Sequence, residues 1–344
     1  MKNHPEKIIV RCPNWVGDLV MATPALDCLR SNFPNTELVG LMREYVRKVV
    51  EDGPWFDTII NGEDKNLRGF WELVKTIRHQ KPDAAILFPN SFQSALSCWL
   101  GGVAEIYGYK RDGRSFMLTD GPRLSPEIVP MVDYYLGLCR AIGLGMPEKA
   151  KPSLYFSNQI RAEAERLLTG YNINPDDMVI GLNPGAKFGA SKCWPAEYFA
   201  RLAELFEEEW GARVLLFSGP GEEEIAAVIT KASRANIAVL GSDRLDLALL
   251  KPLVKRCALL VTNDTGPRHY AVAYDVPVAV IFGSTDPALT ASNLEKTATL
   301  RRDMDCSPCH KRICPYDHEC MSLITPEDVF IESAKLLKAA GDQS

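Results

Sequence analysis

The sequence predicts an α/β protein of two doubly wound domains, each a parallel sheet covered by helices, with both sheets facing a cleft between the domains. Two observations carry this. Short apolar runs alternate with amphipathic ones along almost all of the 344-residue chain, the βαβ pattern of parallel sheets. The alternation stops once, around 143–158, where Gly143, Gly145, Pro147 and Pro152 fall close together without an apolar period, and then restarts. Each half has roughly the length of one domain. The pattern divides the chain into 1–150 and 151–324, with a terminal helix over 325–340 able to pack back on the first domain.

In the first half Lys7–Cys12 (KIIVRC) reads as a strand and Thr23–Asn32 as a helix with Ala25, Leu26 and Leu29 on one face. Glu37–Met42, Asp57–Ile60 and Asp83–Phe88 are further strands, and helices fit Gly69–His79 and Ser94–Leu100. Pro130–Ile142 is a helix with proline early and Gly143 just past it, the expected order of end signals. In the second half strands are expected at Met178–Leu182, Arg213–Phe217, Ala238–Leu240, Ala258–Thr262 and Val276–Phe282. Helices are expected at Gln159–Leu168, Ala196–Trp210, Glu222–Ser233, Leu245–Cys257 and Gly266–Tyr274. Val276–Phe282 (VPVAVIF) is apolar throughout, as a strand buried on both faces requires. In the terminal helix Thr325 is the N-cap and Asp328 the third helical residue.

Composition narrows the function classes. With 39 Lys+Arg against 44 Asp+Glu the net charge is −5, so no global basic field invites nucleic acid. No apolar stretch reaches the ~18 residues of a membrane span, and the N-terminal apolar run is too short for a signal peptide. A cytoplasmic protein is expected. Of ten cysteines, Cys12, Cys28, Cys98, Cys139, Cys193 and Cys257 are scattered and read as buried reduced thiols. Cys306, Cys309, Cys314 and Cys320 are clustered. A CxxC with two further cysteines permits a four-thiolate structural zinc site, and unligated thiols are the other reading.

Four motifs follow strands, where doubly wound domains bind ligands. Asn14-Trp15-Val16-Gly17-Asp18 puts a carboxylate at the cleft rim or merely caps a helix. The absence of GxGxxG removes the main support for a nicotinamide-dependent dehydrogenase. Asn183–Pro195 (NPGAKFGASKCWP) brings Lys187, Ser191 and Lys192 ahead of a helix. It is a phosphate site without Walker A spacing, or a glycine-rich surface turn. Thr262-Asn263-Asp264-Thr265-Gly266 offers two backbone amides and a hydroxyl as an anion cradle, or forms a plain Asx/ST turn. Gly219-Pro220-Gly221-Glu222-Glu223-Glu224 puts a carboxylate where ribose hydroxyls bind, or glutamates where a helix dipole favours them.

Together, G-D-x4-T-P-A-L (17–26), K-x-W-P (192–195) and N-D-T-G-x2-H (263–269) resemble the ADP-heptose:lipopolysaccharide heptosyltransferases. Pro89–Ala95 (PNSFQSA) is similar to the heptosyltransferase II group of that family. The resemblance implies a GT-B architecture of two Rossmann-like domains. It implies inverting transfer of heptose from ADP-L-glycero-D-manno-heptose to the inner core of lipopolysaccharide, with no cofactor required. Asp18 would be the general base and Lys192 would bind donor phosphate, with Lys187 and Ser191 as secondary candidates. Asp264, Thr265 and Gly266 would hold phosphate and heptose, and Glu222 the ribose. Asn90 and the basic loop with Lys110, Arg111 and Arg114 would face the acceptor, with peripheral contact at the inner face of the inner membrane. No DxD motif stands in a donor-site loop, so cationic side chains and helix dipoles would replace a divalent ion. Two alternatives stand beside this reading: an ADP-heptose transferase with a different acceptor, and a non-catalytic nucleotide-sugar-binding protein.

Overall fold

Continuous apolar runs build the centres of two sheets. In the computed structural model, which describes residues 5–341, the first sheet contains β1 (Lys7–Arg11), β2 (Glu37–Met42), β3 (Thr58–Asn61), β4 (Ala84–Leu87) and β5 (Glu105–Gly108). All neighbours are parallel, in the order β3-β2-β1-β4-β5. The second contains β6 (Val179–Asn183), β7 (Arg213–Phe217), β8 (Ile237–Leu240), β9 (Leu259–Asn263), β10 (Val278–Phe282) and β11 (Thr297–Arg301). It too is parallel throughout, ordered β11-β10-β9-β6-β7-β8. The central strands β4, β6, β9 and β10 are buried along their whole length, whereas edge strands β3 and β11 are largely not. Helices on both faces account for the difference.

Both sheets follow the same winding rule. The chain lays down three strands in one direction, returns beside the first, and continues the other way. The reversal falls between β1 and β4 in one sheet and between β6 and β9 in the other. Loops leaving the carboxyl ends of such a pair diverge and open a crevice for a ligand.

The chain divides into two units. One contains the residues up to Tyr155 together with Ala288–Ser292, and the other contains Phe156–Pro287 and the residues from Asn293 onward. The terminal helix, expected to be able to return to the first domain, belongs to the second unit. Helix Pro326–Gly341 buries Val329 in the core built on β6, β7, β9 and β10 and packs Phe330, with tilted rings, against Phe206 and Trp210. Its start is reciprocally capped: Thr325 Oγ1 accepts from the Asp328 N–H at 3.1 Å, and Asp328 accepts from the Thr325 N–H at 3.0 Å. The helix expected from Leu245 begins only at Leu250, because Asp246 Oδ1 draws the Ala248 and Leu249 amides into a turn. Among the described residues no helix is long and apolar enough to cross a membrane.

Arg114 corrects a sequence expectation. It does not face an acceptor; it is 0% exposed. Its Nε donates to the Tyr109 carbonyl at 3.0 Å, one terminal nitrogen to the Pro89 carbonyl at 2.5 Å and Ser94 Oγ at 3.2 Å, and the other to Asn90 Oδ1 at 3.1 Å. The guanidinium therefore ties the loop after β5 to the loop after β4. A planar fork with five donors can satisfy several carbonyls at once, which lysine cannot. Arg114→Met should lower unfolding stability by about 2–4 kcal/mol, because it strands buried carbonyls. Arg111→Ala, on an exposed side chain of the same loop, should leave the melting temperature unchanged. Thermal unfolding of the two variants checks this.

Candidate active site

In the first unit the β1 crevice holds Asp18. The chain leaves β1 and turns directly into the short helix Val16–Met21, which carries Asp18 in its first turn. Tyr135, on helix Met131–Ala141, donates its hydroxyl to Asp18 Oδ1 at 3.1 Å. Tyr135 is fully buried and packs edge-on against Phe88, so it fixes the carboxylate's direction. Burial first, and then the Asp18 charge, push the Tyr135 phenol well above its ordinary pKa, so it stays a donor. A half-buried carboxylate oriented by a buried phenol can accept a proton from a hydroxyl brought to it.

Asn90 follows β4, the strand beside β1. Its Oδ1 accepts from Arg114 at 3.1 Å and from the Tyr134 hydroxyl at 2.9 Å. Of the basic loop, Lys110 pairs with Asp120 at 3.0 Å and Arg111 with neighbouring Asp112 at 3.1 Å, both toward solvent. Solvent-exposed pairs of this kind hold their charges loosely. Lys110 and Arg111 thus remain available to an anionic ligand, and Arg114 does not.

In the second unit the crevice between β6 and β9 holds Lys192 and Asp264. The loop after β6 is anchored by Trp194, which is buried: its N–H donates to Asn263 Oδ1 at 3.0 Å and its indole to the Ile324 carbonyl at 2.8 Å. Asn263 in turn donates to the Pro184 carbonyl at 2.6 Å. The same loop needs Gly189, whose φ is +153° and whose added Cβ would stand 2.4 Å from the Arg312 carbonyl oxygen. These anchors aim Lys192 across the crevice. Its ammonium lies 2.6 Å from Asp264 Oδ2 and 2.9 Å from the Asp264 carbonyl oxygen.

Asp264 is the hub of this site. Besides Lys192, Oδ2 accepts from Thr285 Oγ1 at 2.7 Å, and Oδ1 accepts from Arg268 at 3.0 Å. Burial pushes the carboxyl up, but Arg268, Lys192 and the hydrogen bonds outweigh it and hold it well below the usual carboxylate range. Ionised and bonded to two cations and a hydroxyl, the Asp264 carboxylate holds the Lys192 ammonium in place. Thr265 and Gly266 begin helix Gly266–Ala273, with Thr265 extended at the N-cap and Pro267 in the first turn. The first amides of a helix have no partner within it and carry its positive end. His269 in that helix is pushed to about 3 by burial, then by Arg268, and is neutral at ordinary pH.

Glu222 follows β7. Its Oε2 accepts from the Gly219 N–H at 2.8 Å, and burial raises its pKa. Gly185 makes room for it, since a Cβ there would stand 1.8 Å from the carboxylate. Lys187 is exposed. Ser191 is corrected. Its hydroxyl is buried and engaged within the protein, donating to the Lys311 carbonyl and paired with Ser284 Oγ at 3.1 Å.

The cysteine-rich segment buttresses that same loop. Ser191 N–H donates to the Arg312 carbonyl at 3.1 Å, His318 Nε2 meets the Ser191 carbonyl at 2.9 Å, and the His310 N–H donates to the Ser284 carbonyl at 2.8 Å. All ten cysteines are free thiols, with Cys306 exposed and Cys320 buried. Among the described residues no three His, Cys, Asp or Glu side chains are grouped to hold a metal ion. Cys306, Cys309 and Cys314 nonetheless lie near enough to Cys320 to add to the upward push that burial gives its thiol, and the hydrogen bonds above tie the segment to its neighbours.

Arg268, Thr285, Tyr134 and Tyr135 were not singled out from the sequence. Arg268 had a signal, standing four residues after Asp264 on a helix, and Thr285 follows an apolar strand. The tyrosines had none.

Comparison with known proteins identifies the family. The family model described as "Glycosyltransferase family 9 (heptosyltransferase)" matches residues 70–319. Lipopolysaccharide heptosyltransferase 2 of Escherichia coli K12 is 28% identical over 96% of this chain and 98% of its own. The solved structure of E. coli ADP-heptose lps heptosyltransferase II superposes with a TM-score of 0.82 at 26% identity, covering 97% of this chain and 99% of that one. The family 9 glycosyltransferase structure from Veillonella parvula shares the fold, with a TM-score of 0.86 at 23% identity over 97% of both chains. Two doubly wound units of the GT-B kind, and a family match over most of the chain, make this protein a member of glycosyltransferase family 9, the heptosyltransferases.

Proposed function

We propose that this enzyme transfers heptose from ADP-L-glycero-D-manno-heptose to the inner core of lipopolysaccharide, with inversion, as a heptosyltransferase II. The observation that carries the reading is the Lys192 ammonium on Asp264, two residues ahead of helix Gly266–Ala273 at the switch point of the second sheet, in a chain that aligns over 96% of its length with lipopolysaccharide heptosyltransferase 2. An acceptor hydroxyl attacks the anomeric carbon on the face opposite ADP. Its proton passes to Asp18 as the new C–O bond forms, an effect worth roughly 10²–10⁴-fold. The bond from the anomeric carbon to the diphosphate oxygen breaks, and its electron pair leaves with ADP. Lys192 and the amides of Thr265 and Gly266 stabilise the charge gathering there, with Lys187 at the rim of the same loop. Glu222 offers Oε1 to the ribose hydroxyls.

On the acceptor side, Lys110 and Arg111 meet the carboxylates and phosphates of the inner core, and Arg114 shapes the loops that present Asn90. The first unit also exposes Leu67 (75%) and Phe116 (71%) on segments that bear Lys65, Arg68 and Arg111. Apolar side chains among cations suit the anionic bilayer surface at which a lipid-anchored acceptor is presented. A transferase with a different acceptor and a non-catalytic binder are the competing readings; the second has no use for a held carboxylate at Asp18.

Incubation with ADP-heptose and a heptose-deficient inner core should give the extended core, and Asp18→Asn should cut kcat by at least about 100-fold with donor affinity little changed. Near wild-type turnover of that variant would remove Asp18 from the chemistry. No product from the wild-type enzyme would reject the acceptor or the activity. In a second experiment, the protein should sediment with vesicles rich in anionic phospholipid, and Leu67→Ser with Phe116→Ser should abolish this. Equal sedimentation of that double variant would move the membrane contact elsewhere.

A further inference from the structure

We propose that Arg268 is a positioning residue that lets Lys192 pass from Asp264 to the donor diphosphate, by keeping the charge that Lys192 leaves behind. The inference rests on the reading of Lys192 as the diphosphate cation. Without ligand, that cation is already engaged, 2.6 Å from Asp264 Oδ2. A diphosphate can take it only by loosening the pair. Removing the single cation of a buried carboxylate is strongly unfavourable, so a lone Lys192–Asp264 pair would resist the ligand.

The arrangement around Asp264 removes this obstacle. Arg268, one helical turn on, holds the other oxygen, Oδ1, at 3.0 Å. The Thr285 hydroxyl shares Oδ2 with Lys192 at 2.7 Å. When Lys192 swings to phosphate, Asp264 retains a guanidinium on one oxygen and a hydroxyl on the other. Arg268 is 1% exposed, its guanidinium 5.1 Å from the centre of the Phe282 ring, so it acts through Asp264 and not on the ligand. It also sets the sign of the site. One carboxylate with two cations carries a net charge of +1 toward an arriving diphosphate; without Arg268 the cluster is neutral.

The proposal separates from a merely structural role by rescue. ADP affinity is measured by calorimetry, and folding by circular dichroism, for wild type, Lys192→Ala, Arg268→Met, Arg268→Lys and the double variant Asp264→Asn/Arg268→Met. Arg268→Met should bind ADP about 30-fold more weakly, because Lys192 becomes the sole counter-ion of Asp264. The double variant should return to within about threefold of wild type, since neutralising residue 264 frees Lys192. Arg268→Lys, which keeps the charge, should stay within about fivefold. Wild-type affinity in Arg268→Met, or a double variant as weak as Lys192→Ala, would overturn the proposal. If Arg268→Met fails to fold, the double variant, which removes both buried charges, decides by the same criterion. Failure of the underlying reading looks different: Lys192→Ala would then bind ADP as wild type does, and the proposal would fall with it.

Discussion

One buried carboxylate, Asp264, organises the second unit's site. It directly follows β9, accepts Thr285 from the loop after β10, receives Lys192 from the loop after β6, and is tied to Arg268 on the helix that follows it. Three segments separated in the sequence are thereby held at one point. Its ionisation is secured because burial, which opposes the charge, is outweighed by two cations. Such a cluster is weak evidence for stability, since desolvating three charges offsets most of their attraction. Its value lies in setting the position and sign of charge where a ligand phosphate would bind. Trp194 and the cysteine-rich segment serve the same end, by holding the Lys192 loop from its two sides.

The two units show how one winding rule yields complementary chemistry. Each places its site where the strand order reverses, β1 beside β4 and β6 beside β9. In the first, the loop after β1 turns into a helix bearing a carboxylate, held by a buried phenol. In the second, the corresponding loop is longer and carries a lysine, held by a carboxylate. On the proposed reading, the carboxylate would serve the hydroxyl nucleophile of a glycosyl transfer and the lysine its anionic leaving group. The buried guanidiniums, Arg114 in one unit and Arg268 in the other, each hold a polar side chain of the candidate site, Asn90 and Asp264.

Much of the fold was legible because central strands must be apolar on both faces. KIIVR, LLVTN and VAVIF announce β1, β9 and β10 without any contact known. Two of the four edge strands gave no such signal. EIYG and TATLR, the sequences of β5 and β11, were passed over because a backbone ladder to one neighbour holds them with little apolar content. At the site, Asp18, Lys192 and Asp264 were legible from their place after strands. Arg114 was misread because Y-K-R-D-G-R looks like one basic loop, while the carbonyl of Pro89 and the side chain of Asn90 that bury its guanidinium lie over twenty residues away. The cysteine spacing left a metal site and free thiols both open, and gave no sign that the segment also braces the Lys192 loop.

The most direct test of this account is a structure of the protein with ADP bound. The account predicts the diphosphate at the amides of Thr265 and Gly266, with the Lys192 ammonium turned from Asp264 to a phosphate oxygen and Arg268 still on Asp264 Oδ1. ADP bound away from the β6–β9 switch point, or at it with Lys192 unmoved and no cation on the phosphates, would contradict it.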